Sequence, residues 1–206
     1  MNSKIKFVYF DVGGVMFSWR KALGEVARKY QQSEKEVSDS FAKYDEISCR
    51  GLVSVQEIWS KVASDLHFEK YENDDIQSFV FKYFSPILET HALAKNLIRR
   101  IPVGLLTNIH HGTYEFSLEK GLVPKLPYTE VIQSCHIGIV KPERAIYEHA
   151  QKKAKVNHWE ILFIDDLKIN VKAAKSLGWN TILFDSDNPK RSIEKIKEML
   201  NMSCPS

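Results

Sequence analysis

Four short stretches of this chain carry side chains that together could handle a phosphate: Asp11-Val12-Gly13-Gly14, Thr107-Asn108, Lys141-Pro142 and Asp165-Asp166. Carboxylates held at close range repel one another, and a hard divalent cation such as magnesium relieves that repulsion through oxygen ligands. The cation and Lys141 could then neutralise an incoming phosphate. The Thr107 hydroxyl and nearby backbone N–H groups could hydrogen-bond its oxygens. Taken singly, each stretch has an ordinary reading. Thr-Asn after a strand is a common turn or helix start, and paired aspartates favour the helix dipole that follows them. Their shared position at strand ends and helix starts makes one site the better reading.

The elements that must position these groups are legible in the hydrophobic pattern. The apolar run Ile5–Phe10 lacks polar alternation, as a parallel strand buried on both faces does, and it ends at Asp11. From about Trp19 to Ser85 the chain reads as successive helices with no strong strand. Ser33-Glu34-Lys35-Glu36 and Ser54-Val55-Gln56-Glu57 fit the capping box. A stripe through Val55, Ile58, Trp59, Val62, Ala63 and Leu66 follows, and a second runs through Ile76, Phe79, Val80 and Tyr83. From Pro86 onward helices alternate with apolar strands at Val103–Leu106, Glu130–Gln133, Ile161–Ile164 and Asn180–Asp185. Pro142 is expected to open a helix, and Ser192–Asn201 to form the last one. The alternation predicts an α/β fold: a Rossmann-like parallel sheet with helices on both faces and an inserted all-α cap. The expected division is a core of residues 1–16 and 86–206 with a cap of 17–85. In such a sheet the strand ends share one edge, so groups distant in sequence converge there.

Composition narrows the class. The chain has 206 residues, 44% apolar and 27% charged, and a formal net charge of +3, which is too small to argue for nucleic acid. Cys49, Cys135 and Cys204 are scattered and show no CxxC spacing, so reduced thiols in a cytoplasmic protein are expected and a zinc site is not. No apolar run approaches the roughly 20 residues of a membrane span. Neither a nucleic-acid nor a membrane partner is expected, and a monomer or homodimer is.

With Asn170 and Ala173-Ala174 added, the motifs resemble the four of the haloacid dehalogenase (HAD) superfamily, in the right order and over essentially the whole chain. The insert is similar to that superfamily's small α-helical cap. The Phe-Ile-Asp-Asp-x-x-x-Asn pattern and the glycine after the first aspartate resemble sugar-phosphate phosphatases and the phosphatase domain of epoxide hydrolases. The resemblance implies a magnesium-dependent phosphatase acting on a small phosphorylated metabolite, sugar phosphates included. Asp11 would be the nucleophile that forms an aspartyl-phosphate, and also a metal ligand. The Gly13 carbonyl, Asp166 and Asp165 would complete the protein's share of the metal site. Thr107 and Asn108 would hold the phosphate, and Lys141 would stabilise transition-state charge. Gly13 departs from the family pattern, which places there an aspartate that protonates the leaving oxygen; losing such a group typically costs about 10²–10⁴-fold. Readily expelled leaving groups would tolerate the loss, and His110 or His111 could supply a proton instead. Two further readings stand: dehalogenation, in which the same aspartate attacks carbon, and a weakly active phosphate-binding regulator. Phe17, Trp19, Tyr44 and Arg50 are candidates for lining the pocket.

Overall fold

The chain runs from strand β1 (Phe7–Phe10) and a two-residue strand β2 (Phe17–Ser18) into helices α1 (Arg20–Tyr30), α2 (Glu34–Cys49), α3 (Val55–Asp65) and α4 (Ile76–Phe81). A second short strand, β3 (Ser85–Pro86), leads to α5 (Leu88–Leu97), β4 (Val103–Thr107), α6 (Thr113–Glu119), β5 (Glu130–Gln133) and α7 (Ser134–Ile137). The remainder is α8 (Arg144–Ala154), β6 (Ile161–Asp165), α9 (Lys168–Ser176), β7 (Asn180–Leu183) and α10 (Pro189–Met199). This is a computed structural model that describes residues 5–202; Cys204 lies outside the described residues.

Every residue of β1 is buried because both of its faces are covered. Val8 and Phe10 pack on one side with Leu93, Leu97, Ile193 and Ile196 of α5 and α10. Phe7 and Tyr9 pack on the other with Ile146, Tyr147 and Ala150 of α8 and Ala174 of α9. The continuous apolar run is thus two interleaved half-patterns, one for each helical layer. The sheet order is β5-β4-β1-β6-β7, parallel at each of its pairings. The chain therefore leaves β1 toward β4 on one side and returns to β6 on the other, so β1 is the switch point where an open α/β sheet forms its crevice. Register does the rest. Phe10 lies opposite Leu105 on one neighbour and Ile164 on the other. Asp11, the next residue, is consequently level with Asp165.

Helices α1–α4 close around their own cluster, with Val26, Tyr30, Val37, Ile58, Trp59 and Val62 at its centre. Both expected capping boxes form, Ser33 with Glu36 and Ser54 with Glu57. Phe17 pairs with Pro86 in an antiparallel ladder, so the two chain passages at the base of the insert run side by side.

Three expectations shift. The helix after Lys141 opens at Arg144 with Glu143 as its N-cap, and the Lys141–Pro142 peptide is cis. Tyr83 falls beyond α4, which ends at Phe81. The last helix starts early, at Pro189, because the Asn188 side chain accepts a hydrogen bond from the Arg191 N–H and Pro189 occupies its first turn. Among the described residues no helix is long and apolar enough to cross a membrane.

Candidate active site

Asp11, Thr107 and Asp165 arrive together because β1, β4 and β6 end on one edge of the sheet. Lys141 comes from the loop after α7, and its ammonium is buried among them. Its Nζ lies 2.9 Å from Asp11 Oδ1 and 2.7 Å from Asp165 Oδ2 and donates to the Leu106 carbonyl at 3.0 Å. All three donors of the ammonium are therefore engaged. Burial alone would weaken the Lys141 charge, but the Asp11 and Asp165 carboxylates outweigh it and hold the pKa above the ordinary lysine value.

Carboxylate oxygens of Asp11, Asp165 and Asp166 lie within 4.8 Å of one another. Each is handled differently. Asp165 is fully buried and accepts from Lys141, from the Leu167 N–H at 2.8 Å and from Asn170 Nδ2 at 3.1 Å. Asp11 Oδ1 accepts from the Val12 N–H at 2.7 Å, yet burial, reinforced by Asp165 and Asp166 and opposed by Lys141, pushes its pKa up to about 7. Asp166 is pushed up to about 6, by burial first and by Asp165 second. Two carboxylates are thus left short of positive charge beside a third that is well compensated. The donor set is all oxygen, which suits a hard cation of the magnesium type and no soft one.

The glycines after Asp11 serve different ends. Gly14 has φ +76°, and a Cβ there would fall 2.0 Å from Asp166 Oδ2, so the Asp166 carboxylate occupies space that only glycine leaves open. At Gly13 a Cβ would meet nothing closer than the Trp19 indole at 3.7 Å. Its lack of a side chain is therefore not a steric requirement.

Thr107 is buried at the end of β4, and Asn108 follows it. Asn108 Nδ2 donates to the Lys141 carbonyl and Oδ1 accepts from the Lys141 N–H, both at 2.8 Å. Its side chain is thereby spent on fixing the lysine backbone. Sequence reasoning expected Asn108 at a phosphate and did not foresee this second tie. Asn170 has a similar supporting place against Asp165, while Tyr147 donates to its carbonyl at 3.1 Å.

Asp11, Gly13, Thr107, Asn108, Lys141, Asp166 and Asn170 face one cavity of about 470 Å³, bounded on its far side by the helical insert. Phe17 and Trp19 line it, as expected. Tyr44 and Arg50 do not. The Tyr44 hydroxyl donates to Asp65, and Arg50 straps the end of α2 to the core through Glu143 at 2.5 Å and the Gly138 carbonyl at 3.2 Å. His110 lines the cavity and lies 2.9 Å from Asp45 of α2, whereas His111 packs against His136.

Comparison with solved structures places this architecture. A HAD-like family hydrolase from Porphyromonas gingivalis superposes with a TM-score of 0.72 at 21% identity, covering 98% of this chain and 100% of its own. The chain has the haloacid dehalogenase fold. Other HAD structures agree: a Bacteroides thetaiotaomicron HAD-family enzyme in complex with magnesium and inorganic phosphate (TM-score 0.67, 20% identity, 88% and 95% coverage). The L-2-haloacid dehalogenase of Xanthobacter autotrophicus follows at 0.65, 20% identity, with 86% and 76% covered. Among curated proteins, a drimenol cyclase of Aspergillus calidoustus is 25% identical over 208 residues, 93% of this chain and 36% of its own length. Bifunctional epoxide hydrolase 2 of Rattus norvegicus is 37% identical over 67 residues, 32% of this chain and 12% of its own. This HAD-fold chain thus spans about a third or less of those relatives. A sesquiterpene phosphatase of Aspergillus oryzae is 24% identical over 187 residues, 86% of this chain and 89% of its own. No protein-family model matches the chain.

Proposed function

We propose that this protein is a magnesium-dependent hydrolase of phosphate monoesters that works through an aspartyl-phosphate on Asp11. In this reading residues 17–85 form a cap over a core of 1–16 and 86–206, and the substrate is a small phosphorylated metabolite. The observation that carries the proposal is the Lys141-clamped pair Asp11–Asp165, with Asp166 beside it, at the floor of a cavity. The magnesium and phosphate held by the B. thetaiotaomicron HAD enzyme, and the phosphatase activity named for the A. oryzae relative, support it.

Asp11 Oδ1 is tied to Lys141 and the Val12 N–H, which leaves Oδ2 as the attacking oxygen. Oδ2 bonds to phosphorus as the ester P–O bond breaks, and the organic group departs with the bonding electron pair as an oxyanion, which takes its proton from solvent. Water then cleaves the acyl phosphate to restore the carboxylate and release inorganic phosphate. Asp11, the Gly13 carbonyl, Asp166 and Asp165 would hold the magnesium, which would supply the positive charge that the carboxylates and phosphate lack. The Thr107 hydroxyl and the Asn108 backbone N–H hold phosphate oxygens. Lys141 offsets the charge that builds on them in the transition state.

Gly13 offers no acid to the departing oxygen, so turnover depends on how readily that oxygen leaves. Sugar 1-phosphates and acyl phosphates meet this condition better than ordinary alkyl esters do. The decisive test is phosphate release from an ester panel of graded leaving-group acidity, with Asp11→Asn and chelator as controls. Release should rise steeply with acidity and fall to background in both controls while the variant stays folded. Release that survives Asp11→Asn would overturn the assignment. Halide release from a 2-haloacid without magnesium would favour dehalogenation, and phosphate binding without turnover a regulatory role.

A further inference from the structure

The cavity that holds the reactive groups has two unlike ends. Its floor is the polar set around Asp11. Its wall toward the helical insert is apolar, formed by Phe17, Leu23, Val26, Phe41, Val80 and Phe84 among others. Part of that wall is a packed aromatic cluster, with the Phe17 and Phe84 rings stacked at 5.2 Å and Phe81 4.7 Å from Phe84. Trp19 and Leu167, 45% and 52% exposed, carry the apolar surface out to solvent.

The few polar side chains on this wall are mostly committed to one another. Asp45 and His110 are 2.9 Å apart, and Gln77 donates to Thr113 at 3.4 Å. Ser38 is the remaining hydroxyl. A sugar or nucleoside body brings several hydroxyls into such a space and needs a partner for each. A hydrocarbon body needs none.

We infer that the substrate of this site carries its phosphate on a hydrocarbon body, joined through an oxygen that leaves readily (aryl, enol or acyl in type), with the hydrocarbon seated against the helical insert. The inference rests on the phosphatase reading above and narrows it to a substrate class. At roughly 30 Å³ for each water-sized group, the cavity of about 470 Å³ holds on the order of a dozen heavy groups beyond the phosphate. That is the size of a medium-chain or compact branched hydrocarbon. Burying one methylene is worth about a fourfold gain in kcat/KM at the usual transfer free energy of ~0.8 kcal/mol.

The absence of an acid at Gly13 dictates the assay, because body and leaving group must be varied separately. In 4-n-alkylphenyl phosphates from methyl to octyl the leaving phenol keeps nearly constant acidity while the hydrocarbon grows. With magnesium present, kcat/KM should climb up to about fourfold per methylene and level off once the cavity is full. A phenyl phosphate carrying a 4-glucosyloxy group should fall about 10²-fold or more below the hexyl compound. Methyl-branched tails of equal carbon count separate a compact branched body from a straight one. Replacing Val26 by Asn should flatten the series. A flat series in the wild-type protein, or preference for the glucosyl compound, overturns the inference while leaving the phosphatase reading intact.

Absence of turnover with every ester would instead overturn the phosphatase reading. The substrate-class inference is then decided by calorimetry with n-alkylphosphonates and magnesium. Affinity that rises with chain length upholds an apolar seat, and affinity independent of length rejects it.

Discussion

At Gly13 and Gly14 the same residue type does opposite things. Gly14 is required, because its φ of +76° and the Asp166 carboxylate against its Cα leave no room for a side chain. Gly14→Ala should therefore displace Asp166, weaken magnesium binding and lower activity; titration of activity with magnesium reads the shift. Gly13 has room, since its nearest neighbour is the Trp19 indole at ordinary contact distance. Gly13→Asp should place a carboxylic acid beside the leaving oxygen. Turnover of an alkyl phosphate should then rise by about 10²-fold, the low end of general acid catalysis, while that of 4-nitrophenyl phosphate changes little. An equal effect on both substrates would mean that the new carboxyl acts on the metal or the fold and not on the leaving group. The convergence of Asp11, Thr107 and Asp165 was legible because each sits where an apolar strand stops at a polar group. The second use of Asn108 was not, since its partner is the Lys141 backbone 33 residues away and no local pattern encodes that pairing.

Elements were readable to the extent that their signals are local. Ser33 and Ser54 announce helix starts by a four-residue rule, and both capping boxes form. The strands announce themselves by apolar runs bounded by polar ends. The β2–β3 ladder has only two residues a side and includes Pro86, so it carries neither periodicity nor β-propensity and went unread. One strand feature that sequence leaves silent is Gly104 in the middle of β4. A Cβ there would come within 2.6 Å of the Tyr9 ring and 3.0 Å of the Glu130 carbonyl. Tyr9 cannot swing aside, because its hydroxyl donates to the Ala150 carbonyl at 2.9 Å and its ring stacks on Trp179 at 5.9 Å. Gly104→Ala should thus destabilise the fold by about 1–3 kcal/mol, the range for overpacking a filled core. Denaturant unfolding would show it as a lowered midpoint with an unchanged slope, whereas a midpoint equal to wild type would mean that β4 and β1 can separate freely.

For the molecule as a whole, the proposed function and stability oppose each other at the floor of the cavity. Asp11 and Asp166 titrate in the folded protein at about 7 and about 6, above the ordinary aspartate value near 3.8. Between these limits the native state binds more protons than the unfolded one. Stability contributed by the two groups therefore falls as pH rises from about 4 to 7. Lys141, with its pKa held above the ordinary 10.5, stays charged throughout that window and adds no slope there. A cation bound to these carboxylates must displace protons at pH 5 but few at pH 8. Magnesium should accordingly raise the melting temperature more at pH 8 than at pH 5. In chelator, the wild-type protein should lose stability across the same interval. Asp11→Asn removes one unpaid charge while Lys141 keeps Asp165 as a partner, so the variant should melt higher than wild type in chelator at pH 8 and gain less from magnesium. Calorimetric scans of both proteins at the two pH values measure all four quantities. Equal magnesium shifts at pH 5 and pH 8 would show that the cation is held elsewhere. The expected pattern means that the buried acidic floor is kept at the expense of the metal-free fold, because a carboxylate short of positive charge is also the one ready to meet a cation and a phosphate.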